Sequence, residues 1–235
     1  MEQQNLHDLS LAAPDETTRC NLALTMIQTP LSVWNCPSRR QAAAFPVRSN
    51  RNWLANTSRP ADLNIGWFRA DYKCNGGSNS IGWGYGPGDW ATAADSTPGR
   101  NGWLSLDDVK RCNGINYQRS KIRLAEITDG VSNTYMVGEK YLLPEGYYTG
   151  TYYADDEPVL GADDLDLHGW TNSLPYQDTP GYDNVLAFGS AHANGFNMAF
   201  CDGSVQTINY SIDPTVHLYL GCRNDDQSID AKKVL

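Results

Sequence analysis

The chain has 235 residues and carries 27 Asp and Glu against 18 Lys and Arg, which gives a net charge of −9 at pH 7. This acidic balance, without any Lys- or Arg-rich block, argues against binding of nucleic acid through phosphate neutralisation. No apolar run approaches the roughly 20 residues that a membrane helix needs. A hydrophobic content of 40% with 21 Gly and 12 Pro indicates a turn-rich globular protein, for which we expect one domain over residues 1–235.

The first predicted element is a helix over Thr17–Ile27, whose apolar residues fall on one face. Asp15 or Thr17 is expected to cap its start, and Pro30 ends it. Residues 31–36 are predicted to form a short strand before a proline.

Turn signals dominate the middle of the chain, so residues of about 40–120 are predicted to be a loop-rich insertion with short strands around Leu63–Phe68. Residues 121–127 are expected to form a helical turn that leads into the turn at Asp129-Gly130. Tyr135–Leu142 is predicted to be a strand because it is rich in β-forming residues.

Residues 144–184 are acidic, aromatic and rich in Gly and Pro, and they are predicted to form a second insertion. A β-hairpin is expected at 196–209, since Asp202-Gly203 is a strong signal for a two-residue type I′ turn. A final helical turn is predicted from Asp213-Pro214 to Leu220. These elements indicate an α+β protein, with a helix on an antiparallel sheet and long irregular loops.

Aromatic residues set among Gly, Asn and Asp are candidates for glycan contact, because their rings can stack on sugars. The residues singled out for binding are Trp83, Tyr85, Trp90 and Trp170. The alternative is that these large side chains anchor long loops onto a small core.

A second candidate is a cation site in the acidic segment 155–168, because Ca²⁺ binds several oxygens on a flexible loop. The candidate ligands are Asp155, Asp156, Asp163, Asp164 and Asp166, with Glu157 and His168 beside them. The spacing does not fit an EF-hand loop, and a solvated acidic loop is the alternative.

The residue types of a hydrolytic triad occur at Ser190, His192 and Asp202, but no G-x-S-x-G elbow is present to expose a strained serine. We therefore expect His192 to bond across to the Asp202 turn in a structural role. The sequence leans away from an enzyme, and a glycan-active hydrolase is the activity that it leaves open.

Four segments carry a resemblance to one family. In FGSAHANGFNMAFCDGSVQTINYSID, residues 188–213, nine residues separate His192 from Asp202-Gly203. The other three are TPLSVWNCPSRR at 29–40, RLAEITDGVSNTYMVGEKYL at 123–142 and VHLYLGCRNDDQSID at 216–230. Together they resemble the prepilin-type processing-associated H-x9-DG domain family, which comprises pseudopilin-like secreted proteins of largely unassigned role. The motif residues with a structural role are His192, Asp202, Gly203, Asp129, Gly130, Asn133 and Glu139.

The resemblance implies a pilin-like fold and an exported protein, extracellular or at the cell surface, associated with a type II secretion or type IV pilus-like system. Its expected work is structural or binding, and the alternative is a secreted glycan-binding module or polysaccharide hydrolase. The opening EQQNLHDL, residues 2–9, is similar to an internal segment of family members. This implies that the apolar N-terminal helix, through which other pilin-like subunits would be contacted, is missing.

The resemblance also bears on the six cysteines, because an even number of cysteines in an exported family suggests disulfides. Six cysteines allow 15 pairings. From the positions of the predicted elements we pair Cys201 with Cys222 first, and Cys36 with Cys74 second. The alternative is that several are small buried hydrophobic residues. The absence of a C-x2-C pair disfavours a zinc ribbon.

Overall fold

A computed structural model describes residues 3–9, 13–46, 66–82, 86, 94–159 and 164–229. Within them, the helices are α1 (Gln4–Asp8), α2 (Glu16–Gln28), α3 (Leu106–Arg111) and α4 (Pro214–Gly221). The strands are β1 (Ala44–Phe45), β2 (Trp67–Phe68), β3 (Tyr72–Gly77), β4 (Tyr135–Glu139), β5 (His168–Trp170), β6 (Tyr176–Gln177), β7 (Gly189–Ser190), β8 (Gly195–Phe200) and β9 (Val205–Asn209). The α+β class is confirmed.

A five-stranded sheet in the order β5-β3-β4-β8-β9 forms the centre of the structure. The pairs β3–β4, β4–β8 and β8–β9 are antiparallel, whereas β5 pairs parallel with β3, so the sheet is mixed. Two of its strands come from segments that the sequence predicted as loop-rich insertions, namely β3 from 40–120 and β5 from 144–184.

The apolar core lies between this sheet and α4. Buried Phe196, Met198 and Ile208 of the β8–β9 hairpin form one cluster with Val216 and Leu220 of the helix. The predicted final helical turn is confirmed, and Asp213 caps α4 by accepting the N–H of Thr215 at 2.9 Å. The helix that covers the core of the sheet is therefore C-terminal.

Near the N-terminus, the predicted helix is confirmed as α2, which packs against β2. Asp15 caps it, since its carboxylate accepts the N–H of Thr18 at 2.8 Å. The strand predicted over 31–36 is wrong. Ser32–Trp34 form a 3₁₀ turn, because Asn35 and the residue after it are bent away to bond with Asp71 rather than with a neighbouring strand. In the described part of the chain, no helix has both the length and the apolar character needed to cross a membrane.

The predicted hairpin at 196–209 is confirmed as β8 and β9, but the two-residue turn is wrong. The N–H of Phe200 donates to Ser204 O at 2.8 Å, and the N–H of Gly203 donates to Phe200 O at 3.0 Å. These bonds enclose a three-residue loop, Cys201 to Gly203. Gly203 has φ +86°, the left-handed residue that follows a type I turn in such loops.

Both predicted disulfides are wrong, because Cys36, Cys74, Cys201 and Cys222 are free thiols, as is Cys112. The thiol of Cys201 faces the backbone oxygen of Tyr135 at 3.6 Å. That of Cys222 donates to the Ser78 hydroxyl at 3.3 Å. The alternative interpretation, in which the cysteines are small buried hydrophobic residues, applies to Cys36, Cys112 and Cys222, which are buried.

Candidate functional site

Three residues from separate segments, Cys36, Glu139 and His192, meet at one end of the strands of the central sheet, where β4 finishes and β8 begins. Cys36 follows the 3₁₀ turn at Ser32–Trp34, Glu139 ends β4, and His192 lies between β7 and β8. Each belongs to a different motif, since they are the cysteine of CPS, the glutamate of VGE and the histidine of H-x9-DG. The motifs therefore define one site rather than three unrelated features.

One ring nitrogen of His192 is the centre of this site. Its Nε2 lies 3.6 Å from Sγ of Cys36 and 3.3 Å from Oε1 of Glu139. Cys36 and Glu139 are buried, with 2% and 1% of their surface exposed, while 37% of the His192 side chain is exposed. The cluster is thus buried on two sides and open to solvent through the histidine.

Each of the three residues is held by its own neighbours. The N–H of Cys36 donates to Oδ2 of Asp71 at 2.9 Å, and Oε2 of Glu139 accepts the N–H of Asn197 at 2.7 Å. The N–H of His192 donates to the Ser190 hydroxyl at 2.9 Å. The side chains consequently approach one another from positions that the backbone fixes.

The arrangement does not resemble a cysteine–histidine–acid relay. In such a relay the base contacts the nucleophile through one ring nitrogen and the acid through the other. Here the thiol and the carboxylate face the same nitrogen. Burial, and then the hydrogen bond with Glu139, raise the pKa of the Cys36 thiol, so it keeps its proton at neutral pH and is a poor nucleophile.

The structure contradicts the expected contact between His192 and the Asp202 turn. His192 precedes β8 and Asp202 follows it, and this six-residue strand separates them by roughly 20 Å. The carboxylate of Asp202 instead accepts the N–H of Ser204 at 2.8 Å within its own turn. The nine residues between them are the six of β8 and three that flank it, so the spacing spans a strand and does not bring its ends into contact.

The remaining motif residues lie where the C-terminal segment returns to the sheet. The carboxylate of Asp129 accepts the N–H groups of Asp225 and Asp226, at 2.7 and 3.0 Å. Gly130 has φ +99°, and the Asn133 amide donates to Asp129 O at 3.2 Å. These residues form a turn that fastens the chain after α4.

Asp155 was predicted to be a calcium ligand, and the structure corrects this prediction, because its carboxylate is already bonded to cationic side chains of the protein. Its carboxylate accepts Arg40 at 2.5 and 2.9 Å, Lys140 at 2.9 Å and Arg69 at 3.0 Å. These charges hold the pKa of Asp155 well below its usual range against the opposing effect of burial. Both oxygens of this carboxylate are already bonded to buried protein cations, and a calcium ion would have to displace them. Asp156 is buried as well, at 3% exposure.

Part of the acidic segment does form a cluster suited to a cation. One carboxylate oxygen from each of Glu157, Asp164 and Asp166 lies within 4.8 Å of the others. Asp166 is 2% exposed, and burial raises its pKa well above the usual value. Asp163 lies outside the described residues. Calcium binding by this cluster stays a prediction, in which Glu157 replaces Asp155 as a ligand.

Trp170 is not available for stacking on a sugar, which is a second correction. It is fully buried at 0% exposure, and its indole N–H donates to Ile81 O at 3.2 Å. The anchoring alternative therefore holds for this residue. The other three predicted binding residues, Trp83, Tyr85 and Trp90, lie outside the described residues.

Sequence reasoning missed two features of the site. The buried basic residues Arg39, Arg40, Arg69, Lys73 and Lys140 were not recognised, because a charged residue in a polar segment is normally exposed. Cys36 was interpreted as a disulfide partner or as a small buried hydrophobic residue. The sequence did offer a signal that Cys36 belongs to the same site, because its CPS segment occurs together with the motif segments that carry Glu139 and His192.

Comparison with known proteins places the chain in a family. A family model described as SBP_bac_10, protein of unknown function (DUF1559), matches residues 1–215. The chain belongs to this family, which is the H-x9-DG, prepilin-associated type. No curated protein and no solved structure gives a significant match.

Proposed function

We propose that this chain is the globular part of an exported, pseudopilin-like subunit of a type II secretion or type IV pilus-like system, with a structural or binding role. The observation that carries the proposal is the use of the motif carboxylates. Asp129 fastens the segment after α4, and Glu139 fastens the start of β8 through Asn197. Carboxylates of the motif segments thus bond to the backbone of distant segments, as expected for a subunit whose role is structural.

The chemistry of the described residues favours binding over turnover. The Ser190 hydroxyl, a triad candidate, accepts the N–H of His192 rather than facing its ring. Burial raises the pKa of Cys36, Cys74 and Cys112. It does the same for Cys201 and Cys222. Thiols that stay protonated oxidise slowly, so they can persist in an exported protein.

The proposal is tested by following a tagged copy of the protein in its native host. We expect it in the cell envelope or the extracellular fraction, cross-linked to other pilin-like subunits. A strain without the prepilin peptidase is the matched control, in which the cross-links should be lost. Recovery of the protein in the cytoplasm of both strains, without cross-links to such subunits, would overturn the proposal.

Glycan contact is the second candidate, favoured by a pair of exposed rings. The ring centroids of Tyr176 and Tyr182 lie 4.7 Å apart, and the two residues are 41% and 37% exposed. Adjacent exposed rings of this kind offer a surface on which a sugar can stack. In a polysaccharide pull-down, Tyr176→Ala should reduce binding, whereas Trp170→Phe, a change inside the core, should not.

A further inference from the structure

We propose that Cys36, Glu139 and His192 form a binding site for a divalent transition-metal ion, and that Zn²⁺ is the ion that this ligand set fits. A thiolate, an imidazole and a carboxylate are the three kinds of side chain that bind zinc in proteins. The sulfur ligand separates this site from calcium and magnesium sites, because those hard cations take oxygen ligands. The inference is independent of the secretion role proposed above.

Two of the three distances between the donor atoms match a tetrahedral zinc site, and the third, from sulfur to a carboxylate oxygen, is at most 4.8 Å. Zinc bonds to sulfur, nitrogen and oxygen at about 2.3, 2.1 and 2.0 Å, so a tetrahedron places sulfur about 3.6 Å from nitrogen and nitrogen about 3.3 Å from oxygen. The structure has Sγ of Cys36 at 3.6 Å and Oε1 of Glu139 at 3.3 Å from Nε2 of His192. A metal ion can therefore bind the histidine together with either of the other two donors without moving that pair of atoms apart.

The surroundings of the ligands support the same assignment. Oε2 of Glu139 accepts the N–H of Asn197, so the carboxylate keeps its orientation and offers its other oxygen, Oε1, to the site. The carbonyl of His192 accepts the hydroxyl of Tyr210 at 2.9 Å, which fixes the histidine loop. Supporting hydrogen bonds of this kind orient metal ligands and tighten metal binding.

The charge at the site also suits a divalent ion. Binding of zinc would displace the thiol proton of Cys36 to solvent, and the resulting thiolate and the Glu139 carboxylate would together neutralise the two positive charges of the ion. Three protein ligands leave the fourth tetrahedral position for water or for a group of another molecule, and the exposed side of His192 opens that position to solvent. An exchangeable position of this type is a means of contacting a partner.

The test is a titration of the chelator-treated full chain with Co²⁺, which reports thiolate coordination by a charge-transfer absorption band. We expect one Co²⁺ per chain, a charge-transfer band, and displacement of the cobalt by Zn²⁺. Cys36→Ser should remove the band and weaken Zn²⁺ binding by at least about 100-fold, the larger of the losses seen when only a supporting residue is removed. Cys201→Ser is the matched control, because Cys201 lies at the other end of β8 and its thiol faces Tyr135 O.

Further variants keep the test decisive. Circular dichroism establishes that each variant is folded. If Cys36→Ser does not fold, His192→Ala decides the question, because the half-exposed histidine can be removed with little effect on packing. A wild-type chain without the charge-transfer band would overturn the proposal. So would a band that survives Cys36→Ser, or one that Cys201→Ser reduces equally.

Discussion

The carboxylate of Asp155 and the ammonium of Lys140 form a salt bridge of 2.9 Å in which each side chain is only 1% exposed. The same carboxylate accepts Arg40 and Arg69, so one acidic residue bonds to three buried cations, of which Arg40 also pairs with buried Asp71 at 2.7 Å. Because a buried cation without a partner costs several kcal/mol, the stability of the described fold depends on this carboxylate.

We therefore predict that Asp155→Asn lowers the free energy of unfolding by about 3–5 kcal/mol, the range found for breaking a buried ion pair. The matched control is Asp107→Asn, since Asp107 bonds Lys110 on the surface with 89% of its side chain exposed. That exposed pair should contribute less than about 1 kcal/mol. Urea denaturation measures both variants, and equal effects would show that the buried cations are stabilised by other groups.

His217 is predicted to make the protein less stable in acid. It is fully buried, in contact with the rings of Tyr135 and Phe188, and burial lowers its pKa from 6.5 to about 4. The unfolded chain consequently binds more protons between these two pKa values. The contribution of His217 to stability is complete above pH 6.5 and is lost as the pH falls toward 4.

By this linkage, lowering the pH from 7.5 to 5 should cost the wild-type protein about 2 kcal/mol through His217. His217→Gln should reduce the difference in unfolding free energy between the two pH values by that amount. His7→Gln is the control, because 71% of the His7 side chain is exposed. An unchanged pH difference in His217→Gln would mean that the imidazole is protonated inside the fold.

Asp129 is predicted to hold the segment after α4 in place. Its carboxylate accepts the N–H groups of Asp225 and Asp226, and each bond to a charged group contributes about 1.5 kcal/mol or more. Asp129→Ala should speed hydrogen exchange of these two amides by about tenfold or more. Asp202→Ala, which removes a carboxylate bonded only within its own turn, should leave their exchange unchanged. Equal exchange rates of the Asp225 and Asp226 amides in wild type and Asp129→Ala would refute the stabilising role of these hydrogen bonds.

Calcium is predicted to stabilise the protein through Glu157, Asp164 and Asp166, whose carboxylate oxygens converge. At a concentration 100-fold above the dissociation constant, a bound ion adds about 2.7 kcal/mol, which raises the Tm by several degrees. Asp164→Asn should abolish the increase, while Asp107→Asn should preserve it. A Tm that neither excess calcium nor chelator changes would show that these three carboxylates hold no calcium ion.

The sequence was informative where the signal for a structure is local. The cap at Asp15, the proline after α2 and the Asp-Gly of the hairpin each act within a few residues, and both the helix and the hairpin that they delimit are confirmed. Strand β3 was not predicted, because its sequence, YKCNGG, contains two glycines and does not alternate between polar and apolar residues. Lys73 is buried there because its ammonium donates to the distant Val185 O at 2.6 Å, a contact that no local pattern reports.

The candidate site was missed for the same physical reason. Glu139 and His192 were recognised as motif residues, and Cys36 was noted, yet their sequence separations carry no information about distance. The three meet only because β4 pairs with β8 and the 3₁₀ turn before Cys36 bends toward Asp71. The nine-residue spacing between His192 and Asp202 likewise gives no contact, since these nine residues include the whole of the extended strand β8.

The last prediction concerns Gly203, which closes the hairpin loop with φ +86°. An added Cβ there would meet no heavy atom within 4 Å, so the cost of a side chain is backbone strain alone, without a clash. Gly203→Ala should therefore lower the free energy of unfolding by about 1–2 kcal/mol, the cost of the left-handed conformation for an ordinary residue. Gly203→Asn should cost less, because asparagine tolerates that conformation. Urea denaturation of the two variants separates strain from packing, and an equal loss for both would show that the loop is limited by a steric contact instead.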